Sequence, residues 1–134
     1  MNESHPPPDA APPLCIVLWS VSPEDPVRAV TPFVFAAAAA ALDCPVEMLF
    51  TAGSVRLLVQ DVAAACHTAD AGLKTLYDFM REAHDTGARF YACSMAMHAY
   101  VSPAEPLVPE FDGIRGVTTA MMSSLEYGAR LLVF

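Results

Sequence analysis

Leu14-Cys15-Ile16-Val17-Leu18-Trp19 is an unbroken apolar run, entered from Pro12-Pro13 and left through Ser20-Val21-Ser22-Pro23. Six apolar residues without polar alternation read as a strand buried on both faces, the kind found inside a parallel sheet. Outward from this run the chain alternates. Ser22-Pro23-Glu24-Asp25 is a helix start, and 27–42 is a helix whose Ala-rich second half has high helix propensity and little bulk, so it can lie close to a neighbour. Val46-Glu47-Met48-Leu49-Phe50 is the second strand, and Thr51-Ala52-Gly53 turns the chain. The segment 55–59 fits a short strand or a first helical turn, and 62–66 is helical. Leu73, Leu76, Tyr77, Met80 and Ala83 recur at helical spacing, which predicts an amphipathic helix over 73–84 closed by Gly87. A strand over 88–92 follows, then an apolar helical stretch over 95–101 and a Pro-rich loop over 102–112. A short strand over 114–117, a helix over 118–127 started by Thr118 or Thr119 and closed by Gly128, and a last strand over 130–134 complete the chain.

Strands alternating with helices predict an α/β domain: a mostly parallel sheet of about five strands flanked by helices on both faces, a flavodoxin-like three-layer sandwich. The domain is expected over 14–134. Residues 1–13, whose prolines lack amide donors, are expected to be a disordered tail.

The 134 residues fit one domain, which at this size removes roughly two-thirds of its unfolded surface from water. Apolar residues make up 54% and the mean hydropathy is +0.38, more than so small an interior hides, so an oligomer is expected. Seven Lys and Arg stand against fifteen Asp and Glu, with no basic cluster, which disfavours nucleic acid and anionic membrane surfaces. The longest apolar run, 33–42, is too short to span a bilayer, which takes about 20 residues, and reads as a buried helix. The N-terminus is polar and Pro-rich, unlike a secretory leader, and the four cysteines show no paired spacing, so reduced thiols in a cytoplasm are expected.

In open parallel sheets ligands gather where strand ends lead into helices. Three such places occur, at 20–22, 51–53 and Cys93-Ser94, and only the last offers a strong nucleophile. At a strand-to-helix turn, the free amides of Ser94 and Met95 and the helix dipole favour a thiolate at Cys93. A buried cysteine acting as a small hydrophobe is the competing reading of the same position. His98 lies slightly more than one turn on, only partly on the same face, and is at most an auxiliary. Cys66-His67 with Cys93 and His98 lacks the tight ligand pairs of zinc sites, so no metal is expected. Cys15 and Cys44 are read as packing residues, and Met95, Met97, Met121 and Met122 as core or interface filler. GxGxxG, GxxxxGK[ST] and GxSxG are all absent, so neither a nucleotide cofactor nor a nucleophile elbow is expected.

Three segments resemble the DsrE/DsrF-like family of small sulfur-transfer proteins. They are Phe90-Tyr91-Ala92-Cys93-Ser94-Met95-Ala96-Met97, the stretch from Glu47 through Thr51-Ala52-Gly53-Ser54 to Val55, and the ending from Gly116-Val117 to Phe134. The resemblance implies trimers or hexamers. It also implies that Cys93 carries sulfur as a persulfide and exchanges it with a TusA-like partner in sulfur oxidation or sulfur relay. Met95 to Tyr100 departs from the best-studied relay branch, where a small-residue helix and an Arg-Gly pair follow the cysteine. Two other readings remain beside the carrier. A non-catalytic binding or assembly subunit would keep Cys93 sealed under 102–112. A thiol redox sensor or peroxidase would bring Cys66 near enough to resolve an oxidised Cys93.

Overall fold

The computed structural model describes residues 11–68 and 74–134. Strands β1 (Leu14–Leu18), β2 (Val46–Phe50), β3 (Arg89–Ala92), β4 (Phe111–Ile114) and β5 (Arg130–Val133) form one sheet in the order β4-β3-β2-β1-β5. Every pairing is parallel, with Leu14 opposite Val46 and Arg130, and Glu47 opposite Arg89. The helices are α1 (Pro26–Ala41), α2 (Leu76–Thr86), α3 (Ser94–Tyr100) and α4 (Val117–Tyr127). The α/β class and the five-stranded parallel sheet match the sequence reading. The expected tail falls mostly on 1–10, and Leu73 begins the helix expected over 73–84; both lie outside the described residues, but Thr75 is the extended cap of α2, so that helix starts at Leu76.

The period-two alternation of the strands sorts their side chains onto two faces. Ile16, Leu18, Met48, Phe50, Phe90 and Ala92 pack with Phe33 and Ala36 of α1 and Leu76, Met80 and Ala83 of α2. The rings of Phe33, Phe50 and Phe90 meet there at centroid distances of 5.5–6.1 Å. On the opposite face Cys15 and Leu49 pack against Ala120 of α4, flanked by Val17 and Tyr91. Coverage is unequal. Ala120 is the buried residue of α4, whereas its Val117, Met121, Met122 and Leu125 are exposed.

Local signals account for the helix ends. The Asp25 side chain accepts from Arg28 N–H, and Pro26 occupies the first turn, where no amide is needed. Thr75 and Asp78 form a reciprocal capping box at α2, and Gly87 (φ +133°) ends it by donating to Ala83 and His84 carbonyls.

Several expectations change. The helix over 33–42 is buried on one side only: Ala29, Pro32, Phe33 and Ala36 are inside, while Phe35 is half exposed and Leu42 is 82% exposed. The first strand stops at Leu18, and Trp19 N–H turns to the Phe134 carbonyl. Segment 55–59 is neither strand nor α-helix; Ala52–Leu58 is a 3-10 helix. The strand expected over 114–117 lies earlier, at Phe111–Ile114. Asp112-Gly113, read as loop, is a bulge inside that strand, with Gly113 at φ +135° and the Asp112 carboxylate accepting from Phe90 N–H at 2.7 Å. Helix α4 begins at Val117 with Gly116 as its cap, so neither Thr118 nor Thr119 caps it.

Candidate functional site

Topology creates one crevice at the carboxyl edge of the sheet. Successive steps from β1 to β4 travel in one direction across the sheet, and right-handed crossovers then place α1, α2 and α3 on the same face. Ala96 of α3 accordingly joins the core cluster of α1 and α2. The next connection returns from β4 to β5 at the far edge, and α4 therefore crosses the opposite face. Neighbouring strands β3 and β4 thus send their exits apart, the arrangement that opens a ligand crevice in this class of fold. Cys93 is the first residue after β3.

Cys93 is held from both sides. Its N–H donates to the Phe50 carbonyl at 2.9 Å, extending the β2–β3 ladder, and its carbonyl accepts from Met97 N–H at 3.0 Å, beginning α3. Arg115 N–H bonds the Ala92 carbonyl from the β4 side at 3.0 Å. Cys93 is therefore the extended N-cap of α3 (φ −67°, ψ 129°), and the first-turn amides lie outside the helix's own ladder. The loop after β2 is equally fixed. Thr51 Oγ1 donates to the Leu18 carbonyl at 2.7 Å, fully buried Ser54 lies 3.0 Å from that carbonyl and 2.6 Å from its neighbour on Thr51, and Ala52 is held at φ +48°. A non-glycine residue in this region is strained and persists only where its surroundings impose it.

Beside Cys93 runs a groove of about 310 Å³. Ser94, Met97, His98 and Val101 of and after α3 form one wall, Ser102, Pro103, Glu105 and Leu107 the other, and Ile114 at the end of β4 closes it. Of the residues singled out in the sequence, Ser94 and His98 meet in this groove, while Met95 points away and is 79% exposed. Cys93 itself is recessed, with 9% of its surface accessible.

The second wall is tied to the 3-10 helix. Arg56 Nη1 contacts both Glu105 carboxylate oxygens, at 2.7 and 2.8 Å, and donates to the Tyr100 carbonyl at 3.1 Å. Glu105 also accepts from Ser102 N–H at 2.9 Å. Hydrogen bonding to Arg56, then to the Ser102 amide, holds the Glu105 carboxyl below its ordinary range. Downstream, Gln60 N–H bonds the Pro106 carbonyl and Val108 N–H the Leu58 carbonyl, both at 2.8 Å. No sequence pattern marks the Arg56–Glu105 pair, since 49 residues separate its members. Ser54 carried a faint signal, its place just beyond a strand's carboxyl end.

The other thiols face elsewhere. Burial, and secondarily the Glu47 carboxylate, pushes the Cys15 thiol up to about 11 against the opposing pull of Arg115. Arg115 is itself occupied, paired to Glu47 at 2.5 Å and stacked 3.9 Å from the Tyr91 ring centroid. Burial, then Glu24, raises Cys66, whose sulfur points to the Val62 and Pro23 carbonyls rather than into the groove. Cys44 lies by the Pro12 carbonyl and lines a separate hollow with Leu14 and Arg130. All four cysteines are free.

With this geometry in view, the model of the DsrE/DsrF-like family matches residues 15–134. Comparison with curated proteins finds no match. Among solved structures, the chain is similar to the YchN protein of E. coli, at 10% identity and a TM-score of 0.69, covering 91% of this chain and 99% of that one. It is also similar to MTH1491 of Methanobacterium thermoautotrophicum, a protein of unknown function, at 16% identity and a TM-score of 0.58 over 90% and 96% of the two chains. BT1422 of Bacteroides thetaiotaomicron, likewise of unknown function, aligns at 14% identity and a TM-score of 0.60 over 94% and 98%. At these identities the likeness is one of fold.

Proposed function

We propose a function from the premise that this chain belongs to the DsrE/DsrF-like family: it carries sulfane sulfur as a persulfide on Cys93 and exchanges it with a TusA-like partner in a sulfur-oxidation or sulfur-relay route. Family membership supports a role connected with sulfur relay. The observation that carries the finer reading is the place of Cys93 directly after β3, recessed where the exits of the adjacent strands β3 and β4 part.

The chemistry needs little machinery. The Cys93 thiolate attacks the outer sulfur of a donor persulfide, R–S–SH. One S–S bond forms, the donor's S–S bond breaks, the proton stays on the transferred sulfur, and R–S⁻ departs with the electron pair. Ionisation then gives Cys93–S–S⁻, beside the free first-turn amides at Ser94 and Met95. With two turns, α3 offers these amides rather than a full helix dipole. A partner thiolate reverses the step at the outer sulfur, and Cys93 leaves as thiolate. No net oxidant is needed and no base must be placed, so His98 serves as an auxiliary of the groove.

The uncovered apolar face of α4, with Leu125 79% exposed and Met121 and Met122 roughly half exposed, supports assembly as a homotrimer or hexamer. Among the described residues no helix is long and apolar enough to cross a membrane, and we place the carrier in the cytoplasm.

The recess of Cys93 favours one second reading, a binding subunit that keeps the fold and leaves the thiol unused. Intact-protein mass spectrometry after incubating reduced protein with polysulfide separates the two. Sulfur-sized mass additions that vanish in Cys93→Ser and on reduction are expected; a folded, reduced protein that gains none supports the subunit.

A further inference from the structure

We infer that the outer face of α1 is a two-fold contact between copies of this chain, in which the helix packs antiparallel against α1 of a second copy. The contact is separate from the sulfur chemistry of Cys93 and from the α4 face, and it stands or falls without either.

Helix α1 is apolar on two opposite sides. Ala29, Pro32, Phe33 and Ala36 are its buried residues. At about 100° per residue, Val27, Thr31, Val34, Phe35, Ala38 and Leu42 fall within about 100° of the circumference on the far side. All six are exposed, Leu42 the most. A helix that is apolar all round is ordinarily covered all round. The patch continues onto the sheet edge. The Phe35 ring meets the Phe134 ring at 5.7 Å, and Leu132, itself partly exposed, stands in register with the core residue Ile16 and so shares its face.

Two observations identify the occupant as a second copy. The first is pattern. The stripe is symmetric about the point between Val34 and Phe35: Thr31 and Ala38 lie equally far to either side of it, as do Val27 and Leu42. A two-fold contact requires such a self-complementary surface. Antiparallel pairing about that point sets Val34 against Phe35 of the second copy at the centre. It sets small Thr31 against small Ala38 where the backbones approach, and Val27 against Leu42 at the ends. The second observation is charge. With fifteen Asp and Glu against seven Lys and Arg, this chain meets its own copy best where carboxylates are few. Helix α1 holds none, and its one charged residue is Arg28, held to Asp25 at the helix start. The same pairing brings Arg28 near Asp43, exposed just past the end of the second copy's helix. Opposite charges thus flank an uncharged centre, the arrangement of a specific interface.

The test uses the full-length protein and two readouts that need no sulfur loading. Val34→Cys places the two new thiols beside the two-fold, offset by about 1.5 Å along the helices, whereas Val27→Cys offsets them by about 22 Å. A disulfide tolerates a Cα separation of only ~7 Å. Under mild oxidation Val34→Cys should therefore form a covalent dimer, its peptide linked at position 34 identified by mass spectrometry, and Val27→Cys should not. In sedimentation the wild type should be an even-numbered assembly. Val34→Glu sets two carboxylates against each other at the centre and should halve that mass, weakening the pairing at least about 100-fold. Absence of the link at position 34 overturns the contact, as does an equally strong link at position 27. A wild type that stays a single chain overturns it too, as does a folded Val34→Glu of unchanged mass. If Val34→Glu does not fold, the cysteine pair decides. A chain that links at position 34 yet takes up no sulfur defeats the carrier reading alone. One that loads sulfur without that link defeats the α1 contact alone.

Discussion

Raising the pH should remove a defined part of this protein's stability through one buried thiol. Cys15 is 4% exposed on β1 and packs with Leu49 and Ala120. Its thiol rises from 9.0 to about 11, first because burial penalises the thiolate and second because the Glu47 carboxylate is near. A group whose pKa is raised on folding contributes stability in full below its unfolded value and loses it as pH passes the folded one. Here the contribution is complete below pH 9 and disappears between 9 and about 11. Two units at 1.36 kcal/mol each give a limit of about 2.7 kcal/mol, most of it gone by pH 11. The assay is urea unfolding of wild type and Cys15→Ala under reductant at pH 8 and pH 11. At pH 8 the variant should be less stable by about 1 kcal/mol, for the lost sulfur packing. At pH 11 the order should reverse, because only the wild type carries a thiol that must stay protonated to remain buried. Other alkaline titrations are common to both proteins and cancel. A gap of the same size and sign at both pH values would refute the reasoning.

Three further outcomes follow from packing, backbone and surface. Phe90→Ala removes a fully buried ring from the Phe33–Phe50–Phe90 cluster and should destabilise by about 4 kcal/mol in urea unfolding at pH 7; a loss under 1 kcal/mol would show that the cluster is not the central packing unit. Gly128→Ala forces a side chain into φ +70° with open space around it, so backbone strain alone should lower stability by about 1 kcal/mol, and a stabilised variant would contradict the left-handed cap. Leu125→Glu adds charge to an already exposed position, so it should change unfolding of the single chain by no more than about 0.5 kcal/mol while shifting sedimentation toward monomer; an unchanged assembly would exclude α4 from the subunit contact.

Much of the architecture was legible because the local signals agree. The continuous apolar run at 14–18 and the mostly apolar stretch at 46–50 mark buried parallel strands, and Thr75 with Asp78 and the glycines at 87 and 128 mark helix ends. The misreadings arise where a local signal has two meanings. Asp112-Gly113 breaks a strand in most contexts, yet here the Asp112 carboxylate supplies the acceptor for the Phe90 amide and the strand continues through the bulge. Thr118 and Thr119 resemble caps, but the backbone turns helical at Val117, ahead of both. The apolar 33–42 segment looked buried all round because composition reports how much apolar surface a helix has, not how much of it the single chain covers.

The amino-acid sequence by itself determined the α/β class, the position of Cys93 between strand and helix, and the apolar excess. These depend on periodicity and on neighbours within a few residues. Only the tertiary structure decided that β3 and β4 part their exits, that Cys93 is recessed beside a groove, that Cys66 faces away from it, and that Arg56 closes on Glu105. Each of those depends on strand order and on contacts between distant segments. Many pairings satisfy the same local pattern, and the packing of the whole chain selects one.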